Sequence, residues 1–189
     1  MDEQRTEDLD AYLDEVLIGG REERVIEIVD YRPAWAERFG GERARIDAAL
    51  GSIARSIDHV GSTAVPGLGA KPIVDIMVTV DDPDDESSYL PQLEQAGYVL
   101  RVREPQHRML RTPELEVQVH IWTAGSDDER RHLIFRDRLR SSAEDRAEYE
   151  RTKRELAGQH RDVNHYANAK GALIGRIIEN ANREAAPPR

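Results

Sequence analysis

Hydrophobic and polar residues alternate with a helical period near both ends of the chain and with a strand period in its middle. Apolar residues of the first 20 positions recur at helical spacing before Gly19 and Gly20, which predicts a short peripheral helix and a hinge. A second helix is predicted to begin at Pro33, because proline suits the first helical turn. Shorter apolar runs predict strands over 25–29, 53–60, 73–80, 98–102, 107–111 and 115–122, with a helix over 90–96.

From Ser126 onward the pattern is helical. Ser126 with Glu129 and Ser142 with Asp145 have the spacing of capping boxes, and Gly158 predicts the end of the second of these helices. We therefore expect three C-terminal helices. The last of them has an apolar face formed by Tyr166, Leu173, Ile174, Ile177 and Ala181.

The order of these elements predicts an α+β (mixed α/β) fold, with a mixed sheet, flanking helices and a C-terminal helical segment. We divide the chain into four parts. They are an acidic N-terminal helix and hinge (1–24), a core (25–124), C-terminal helices packed on the core (125–184) and a disordered tail (185–189).

Composition excludes several classes of protein. The net charge of -10 disfavours a nucleic-acid scaffold, although a local basic pocket for a small phosphate remains compatible with it. The chain has no cysteine, no apolar run long enough to cross a bilayer and an acidic N-terminus unlike a signal peptide. We therefore expect a cytoplasmic protein without membrane contact. Its acidic, lysine-poor composition is typical of proteins from salt-loving organisms.

A single carboxylate interrupts the most apolar predicted strand, 73–80. Asp75 lies within this strand, where an ionised and unpaired side chain costs several kcal/mol. It therefore needs a metal ion, a cation or strong hydrogen-bond donors. Lys71 is the nearest cation in sequence, so a purely structural ion pair between the two is the alternative to a functional site.

The loop before this strand has the composition of a phosphate-binding turn. Gly61 lets the backbone approach a ligand, and Ser62 adds a hydroxyl to the exposed amides. The loop is not a Walker A motif, because no Gly-Lys-Ser/Thr follows. On glycine and proline content alone, an ordinary tight turn is the simpler interpretation.

Residues 59–68 (HVGSTAVPGL) and 70–76 (AKPIVDI) together resemble the signature of the GrpB-like proteins. That family is placed in the nucleotidyltransferase superfamily, which is related in fold to DNA polymerase beta. The resemblance extends over about residues 25–180. It also includes 31–35 (YRPAW), 135–140 (FRDRLR), Tyr149, Lys153, Tyr166 and Lys170.

The resemblance implies a nucleotidyltransferase-like core that uses Mg²⁺ or another divalent metal to transfer a nucleotidyl group from a nucleoside triphosphate to a small molecule. One departure weakens this expectation. Two-metal transferases usually carry Asp-x-Asp/Glu on this strand, whereas this chain has Met77 two residues after Asp75. The alternative is a non-catalytic module that binds a nucleotide or a coenzyme A precursor with a degenerate metal site, because related domains occur fused to dephospho-CoA kinases.

Asp75 and His120 are the predicted catalytic and metal-binding residues, with a structurally satisfied histidine as the alternative for His120. Relatives tend to carry His-x-His where Gln118 and His120 stand. The predicted phosphate-binding residues are Gly61, Ser62, Thr63, Lys71, Arg108, Arg136, Lys153 and Lys170, and the predicted supporting residues are His59, Gln118, Tyr149 and Tyr166.

Three of these roles have structural alternatives. His59 either orients the loop or is a hydrogen-bonded core histidine. Arg136 either binds phosphate or forms a salt bridge with Asp137 that joins helix to sheet. Lys153 and Lys170 each follow a tyrosine by four residues, so they either close the pocket or extend from a packed helical face.

Overall fold

Five strands form one mixed sheet at the centre of the computed structural model, which describes residues 3–22, 24–160 and 162–185. The strands are β1 (Ser56–Val60), β2 (Val74–Val80), β3 (Val99–Glu104), β4 (His107–Arg111) and β5 (Val117–Thr123). Their order across the sheet is β1-β2-β5-β4-β3. The pair β2 and β5 is parallel, and the other neighbours are antiparallel. The predicted α+β fold with a mixed sheet is confirmed.

One face of the sheet carries the main hydrophobic core. Ile76 and Val78 of β2 are fully buried there against helices α2 (Ala34–Leu50) and α3 (Leu90–Gln95). Full burial of a large aliphatic side chain stabilises the fold by about 1.5–3 kcal/mol. Helix α2 follows Pro33, as the sequence predicts. The opposite face of the sheet is therefore the one available for polar side chains.

Four helices pack beside that opposite face, where three were predicted. They are α4 (Asp127–Ser141), α5 (Ala143–Ala157), α6 (Val163–Ala169) and α7 (Gly171–Ala185). The predicted caps are present, because the hydroxyls of Ser126 and Ser142 accept hydrogen bonds from the third residue after each. The predicted final helix is divided at Lys170, where glycine follows and weakens helical continuity.

The N-terminal helix α1 (Glu3–Val16) is present as predicted and contacts β3, with a backbone bridge from Leu17 to Val102. The predicted strand over 25–29 is wrong. In this segment only Val29 forms a bridge, to Ala70, and Val25 is 94% exposed, so the segment has no neighbouring strand along its length. Ala185, the first residue of the predicted tail, ends a helix, and the rest of that tail (186–189) lies outside the described residues. Within the described ranges, no helix has the length and apolar character needed to cross a bilayer.

Candidate functional site

A cavity of about 330 Å³ lies between the polar face of the sheet and the C-terminal helices. This volume is within the range of small-molecule sites. The sheet and its loops contribute Gly61, Ser62, Thr63, Lys71, Asp75, Gln118 and His120. The helices contribute Arg131, His132, Phe135, Tyr149, Lys153, Tyr166 and Lys170. The cavity joins residues separated by more than 100 positions in sequence.

Of the fourteen predicted site residues, eleven line the cavity, and the exceptions are Arg108, Arg136 and His59. The fold therefore brings most of the predicted site together, from the loop after β1, from β2 and β5, and from the C-terminal helices.

Gly61 and Asp75 form the closest contact between the loop and the sheet. Gly61 follows β1, in which Val60 pairs with Asp75, and its backbone has a φ of 68°. A Cβ atom at position 61 would lie 3.1 Å from the Cβ and Cγ atoms of Asp75, and closer still to its carboxylate. Only glycine fits this position, both for its conformation and for the space.

The parallel pairing of β2 with β5 places Asp75 and His120 on the same face. Asp75 pairs with Gln118 and Met77 pairs with His120, and the Asp75 Oδ1 atom lies 3.9 Å from His120 Nε2. Met77 is completely buried, so the position of the second carboxylate holds a packed thioether. Burial raises the pKa of Asp75 to about 6, against the opposing effect of Lys71 and Lys170. Burial also lowers the pKa of His120 well below its ordinary value.

All three lysines of the chain line this one cavity. Lys153 is 1% exposed, and its Nζ atom donates a hydrogen bond to the Gly69 carbonyl. The Nζ atoms of Lys170 and Lys71 lie 4.2 Å and 5.3 Å from the ring centroid of Tyr166. These distances are within the range of cation–π contacts. Among the described residues, no carboxylate lies within 4 Å of any lysine Nζ.

Burial makes these amines poor cations in the absence of an anion. It lowers the pKa of Lys153 to about 7, with repulsion from Lys170 as the next cause. It lowers the pKa of Lys170 to about 8, with repulsion from Lys71 next, and it lowers the pKa of Lys71 as well. A bound anion would reverse these shifts, so the cluster favours an anionic ligand.

His59 supports the loop from outside the cavity. Its Nε2 atom lies 3.0 Å from the hydroxyl of Thr63, and its ring stacks on Phe39 at a centroid distance of 4.8 Å. Burial lowers the pKa of His59 to about 4, with repulsion from two arginines as a smaller cause. This geometry combines the two predicted alternatives, because His59 is a hydrogen-bonded core histidine that also fixes the loop.

The two predicted phosphate-binding arginines do not line the cavity. Arg108 pairs with Ile121 in the sheet and therefore points to the opposite face, where its guanidinium binds Glu86 and Asp84. Arg108 is therefore not placed to bind a phosphate in this cavity, contrary to the prediction. Arg136 bonds to Asp137, to Asp58 at 3.2 Å and to the His59 carbonyl. The predicted salt bridge with Asp137 is therefore present within α4, and the contacts with Asp58 and His59 are the ones that join α4 to β1.

Helix α4 also contributes side chains to the cavity, which the sequence pattern had not led us to predict. Arg131 and His132 line the cavity, and His132 lies one turn before Phe135 on the same side of the helix. That spacing was a usable signal. His107 was also missed, although it lies beside His120, with its ring stacked on Trp122 at 3.9 Å. The Nε1 atom of Trp122 is buried and has no hydrogen-bond partner in the part of the chain that the structure describes.

The donor set fits one divalent ion and does not fit two. Asp75 offers a carboxylate oxygen and His120 an imidazole nitrogen, a pair that suits one transition-metal ion completed by water or substrate oxygens. Among the described residues, no group of three or more histidine and acidic side chains is arranged to hold a metal. A pair of Mg²⁺ ions would need more oxygen ligands than this cavity offers.

The mixed sheet, the flanking helices and the loop over Asp75 define an α+β fold with a cavity between sheet and helices. Residues 25–180 match the family model described as GrpB protein, and the chain belongs to this family. A UPF0157 protein of Halalkalibacterium halodurans is 43% identical over 180 residues, which cover 92% of each chain. The crystal structure of the conserved protein GrpB from Enterococcus faecalis has a TM-score of 0.73 and 31% identity, covering 84% of this chain and 98% of that one.

Two further likenesses are partial. Dephospho-CoA kinase of Mycobacterium tuberculosis is 36% identical over 74 residues, which are 38% of this chain and 18% of that protein. The Cid1 poly(U) polymerase structure has a TM-score of 0.40 at 12% identity, covering 73% of this chain and 45% of that one. A TM-score of 0.40 supports no argument about activity.

Proposed function

We propose that the protein binds a nucleoside triphosphate in this cavity and transfers its nucleotidyl group to a small molecule, with assistance from a divalent metal. The observation that carries the proposal is the convergence of all three lysines on the cavity that also holds Gly61, Asp75 and His120. We keep a cytoplasmic location as part of this proposal.

The charge of the cavity contrasts with that of the chain. The chain has a net charge of -10, yet the described residues that line the cavity include three lysines and Arg131 against one carboxylate, that of Asp75. Buried amines without an acid in direct contact are unfavourable unless an anion compensates them. A ligand with several negative charges, such as a triphosphate, supplies this compensation.

Each group has a role in this proposal. The lysines hold phosphate oxygens, and the backbone at Gly61 with the Ser62 hydroxyl lines the same cavity. Asp75 and His120 would hold the divalent ion, which supplies charge neutralisation at the transferred phosphate when bound. Phosphoryl transfer depends mostly on positioning and charge stabilisation, which a fixed cavity of this kind provides.

The test is transfer of label from nucleoside triphosphates labelled at the α-phosphate to a panel of small acceptors, with Mg²⁺ or Mn²⁺ present. We expect transfer by the unaltered protein and loss of transfer in Asp75→Asn. Arg176→Gln is the matched control, because Arg176 is an exposed residue of α7 that pairs with Glu148 outside the cavity. Absence of transfer across the panel, together with absence of nucleotide binding, would contradict the proposal.

A second candidate is a non-catalytic module that binds a nucleotide or a coenzyme A precursor. Buried Met77 favours it, because the chain lacks the second carboxylate of a two-metal site. The partial likeness to dephospho-CoA kinase suggests this ligand class. Calorimetry separates the candidates. Tight binding of ATP or dephospho-CoA that is unchanged by EDTA supports the module, whereas binding that requires the metal supports the transferase.

A further inference from the structure

A line of polar side chains leads from the protein surface to His120. It begins at Tyr12 of α1, whose hydroxyl donates to Glu104, and continues through His107 to His120. Glu104 and His107 lie opposite each other on the hairpin formed by β3 and β4. Neither belongs to the cavity lining, and the hydrogen bonds connect both of them to the cavity through His120.

The geometry of this line is close and directional. His107 Nδ1 lies 2.5 Å from Glu104 Oε2, and His107 Nε2 lies 3.1 Å from His120 Nδ1. The two rings are nearly parallel, with an angle of 6° between their planes. Trp122 stacks on His107 at 11° and limits the rotation of its ring. The remaining His120 nitrogen, Nε2, faces Asp75.

The donors can be assigned when both imidazoles are neutral. The ionised carboxylate of Glu104 only accepts hydrogen bonds, so the proton of His107 is on Nδ1. His107 Nε2 is then an acceptor, and the hydrogen bond between the rings requires a proton on His120 Nδ1. A neutral imidazole carries one proton, so His120 Nε2 has a free lone pair.

We propose that Glu104 and His107 are positioning residues that hold His120 as the Nδ1-protonated tautomer, with an unprotonated Nε2 presented to the cavity beside Asp75. The use of that nitrogen, as a metal ligand or as a proton acceptor, rests on the proposed function. The assignment of the tautomer does not rest on the proposed function, because it follows from the hydrogen bonds alone. Outer hydrogen-bond partners of this kind fix the orientation and the basicity of a ligating histidine.

Two variants separate positioning from packing. Glu104→Gln keeps the shape of the side chain but adds an amide donor, so the direction of the hydrogen bonds is no longer fixed. His107→Phe keeps an aromatic ring against Trp122 and removes both nitrogens. His165→Gln is the control, because His165 bonds to Asp10 and lies outside the cavity lining.

The primary measurement is a two-bond ¹H–¹⁵N NMR spectrum of the metal-free protein at about pH 8, where an ordinary imidazole is neutral. We expect an Nδ1-protonated His120 in the unaltered protein and in the control, and a shift toward Nε2 protonation in both variants. Titration with Zn²⁺ alone should show an affinity about 10- to 100-fold weaker in the variants.

An Nε2-protonated His120 in the unaltered protein would overturn this proposal, as would an Nδ1 proton that persists in both variants. These results do not depend on nucleotidyl transfer. If the tautomer is found and no transfer occurs, the proposed function fails while the positioning role stands. If transfer occurs with the other tautomer, the positioning role fails alone.

Discussion

The carboxylate of Asp75 occupies the space that a side chain at position 61 would need. Gly61 lies beside Asp75 where the antiparallel pair β1 and β2 ends, and its positive φ directs the chain into the cavity loop. The loop and the acidic strand therefore form one unit. A change at either residue affects both the conformation of the loop and the orientation of the acid.

We expect Gly61→Ala to lower the free energy of unfolding by about 1–3 kcal/mol, because it adds both backbone strain and a collision with Asp75. Nucleotide binding should weaken in the same variant. Urea denaturation and calorimetry measure the two effects. The matched control is Gly40→Ala in α2, where a Cβ meets no atom within 4 Å and a gain of about 0.5–1 kcal/mol is expected.

We expect Lys170→Met to weaken nucleotide affinity and Arg108→Met to lower the stability of the fold. Lys170 lines the cavity, so its loss should weaken nucleotide affinity by about 10- to 100-fold, the value of a charged hydrogen bond. Arg108 instead binds Glu86 and Asp84 on the other face. Its loss should lower stability by about 1–3 kcal/mol and leave affinity unchanged. Weakened affinity in folded Arg108→Met would restore its predicted phosphate role.

Lys153 should make stability rise with pH. Its ordinary pKa is 10.5 and burial lowers the folded value to about 7. Between these values the unfolded chain binds more protons, so the free energy of unfolding increases by up to about 1.4 kcal/mol per pH unit. Below about pH 7 both states are protonated and the full cost of burial is present. The free energy of unfolding, measured with urea at several pH values, should rise less steeply with pH in Lys153→Met than in Arg176→Gln.

Nucleotide binding should take up protons near pH 8. A bound phosphate raises the lowered pKa values of Lys153 and Lys170, so amines that are partly neutral in the free protein become protonated. Calorimetry in buffers of different ionisation enthalpy measures this uptake. Lys170→Met should reduce it. Proton release on binding would contradict the anion-binding role of the lysines.

Asp75→Asn should raise stability while abolishing transfer. Burial raises the pKa of Asp75 to about 6, so the folded state binds more protons than the unfolded state between about pH 4 and 6, and stability falls as the pH rises through this range. The exposed part of the Asp75 side chain faces the cavity. At pH 7 we expect a gain of up to about 3 kcal/mol in EDTA, measured by urea unfolding. A lower stability would indicate that the charge is compensated.

The central strand and its acid could be predicted from the sequence because both depend on local pattern. A nearly continuous apolar run predicts β2, and a carboxylate within it is unusual in any fold. The segment 25–29 has a similar apolar content but lacks a neighbouring strand, and strand formation depends on such a neighbour. Local pattern carries no information on pairing, so this prediction was wrong.

The placement of Arg108 shows the same limit within the site. Its neighbours His107 and Met109 lie opposite Trp122 and His120, whereas Arg108 lies opposite Ile121. Alternate residues of a strand point to opposite faces, so the register of β4 against β5 decides which of them reaches the cavity side. Lys153 and Lys170 were easier to predict, because their helical spacing from Tyr149 and Tyr166 was sufficient.

The sheet and the helices contribute different chemical groups to the cavity, so substitutions in each have different consequences. The acid and the imidazole belong to the central strands, while two of the three amines belong to α5 and to the junction of α6 with α7. Substitutions in the helices can therefore alter which ligand is selected without disturbing the reactive pair. Substitutions in the C-terminal third can therefore change two amines of the cavity while Asp75 and His120 stay in place on the sheet.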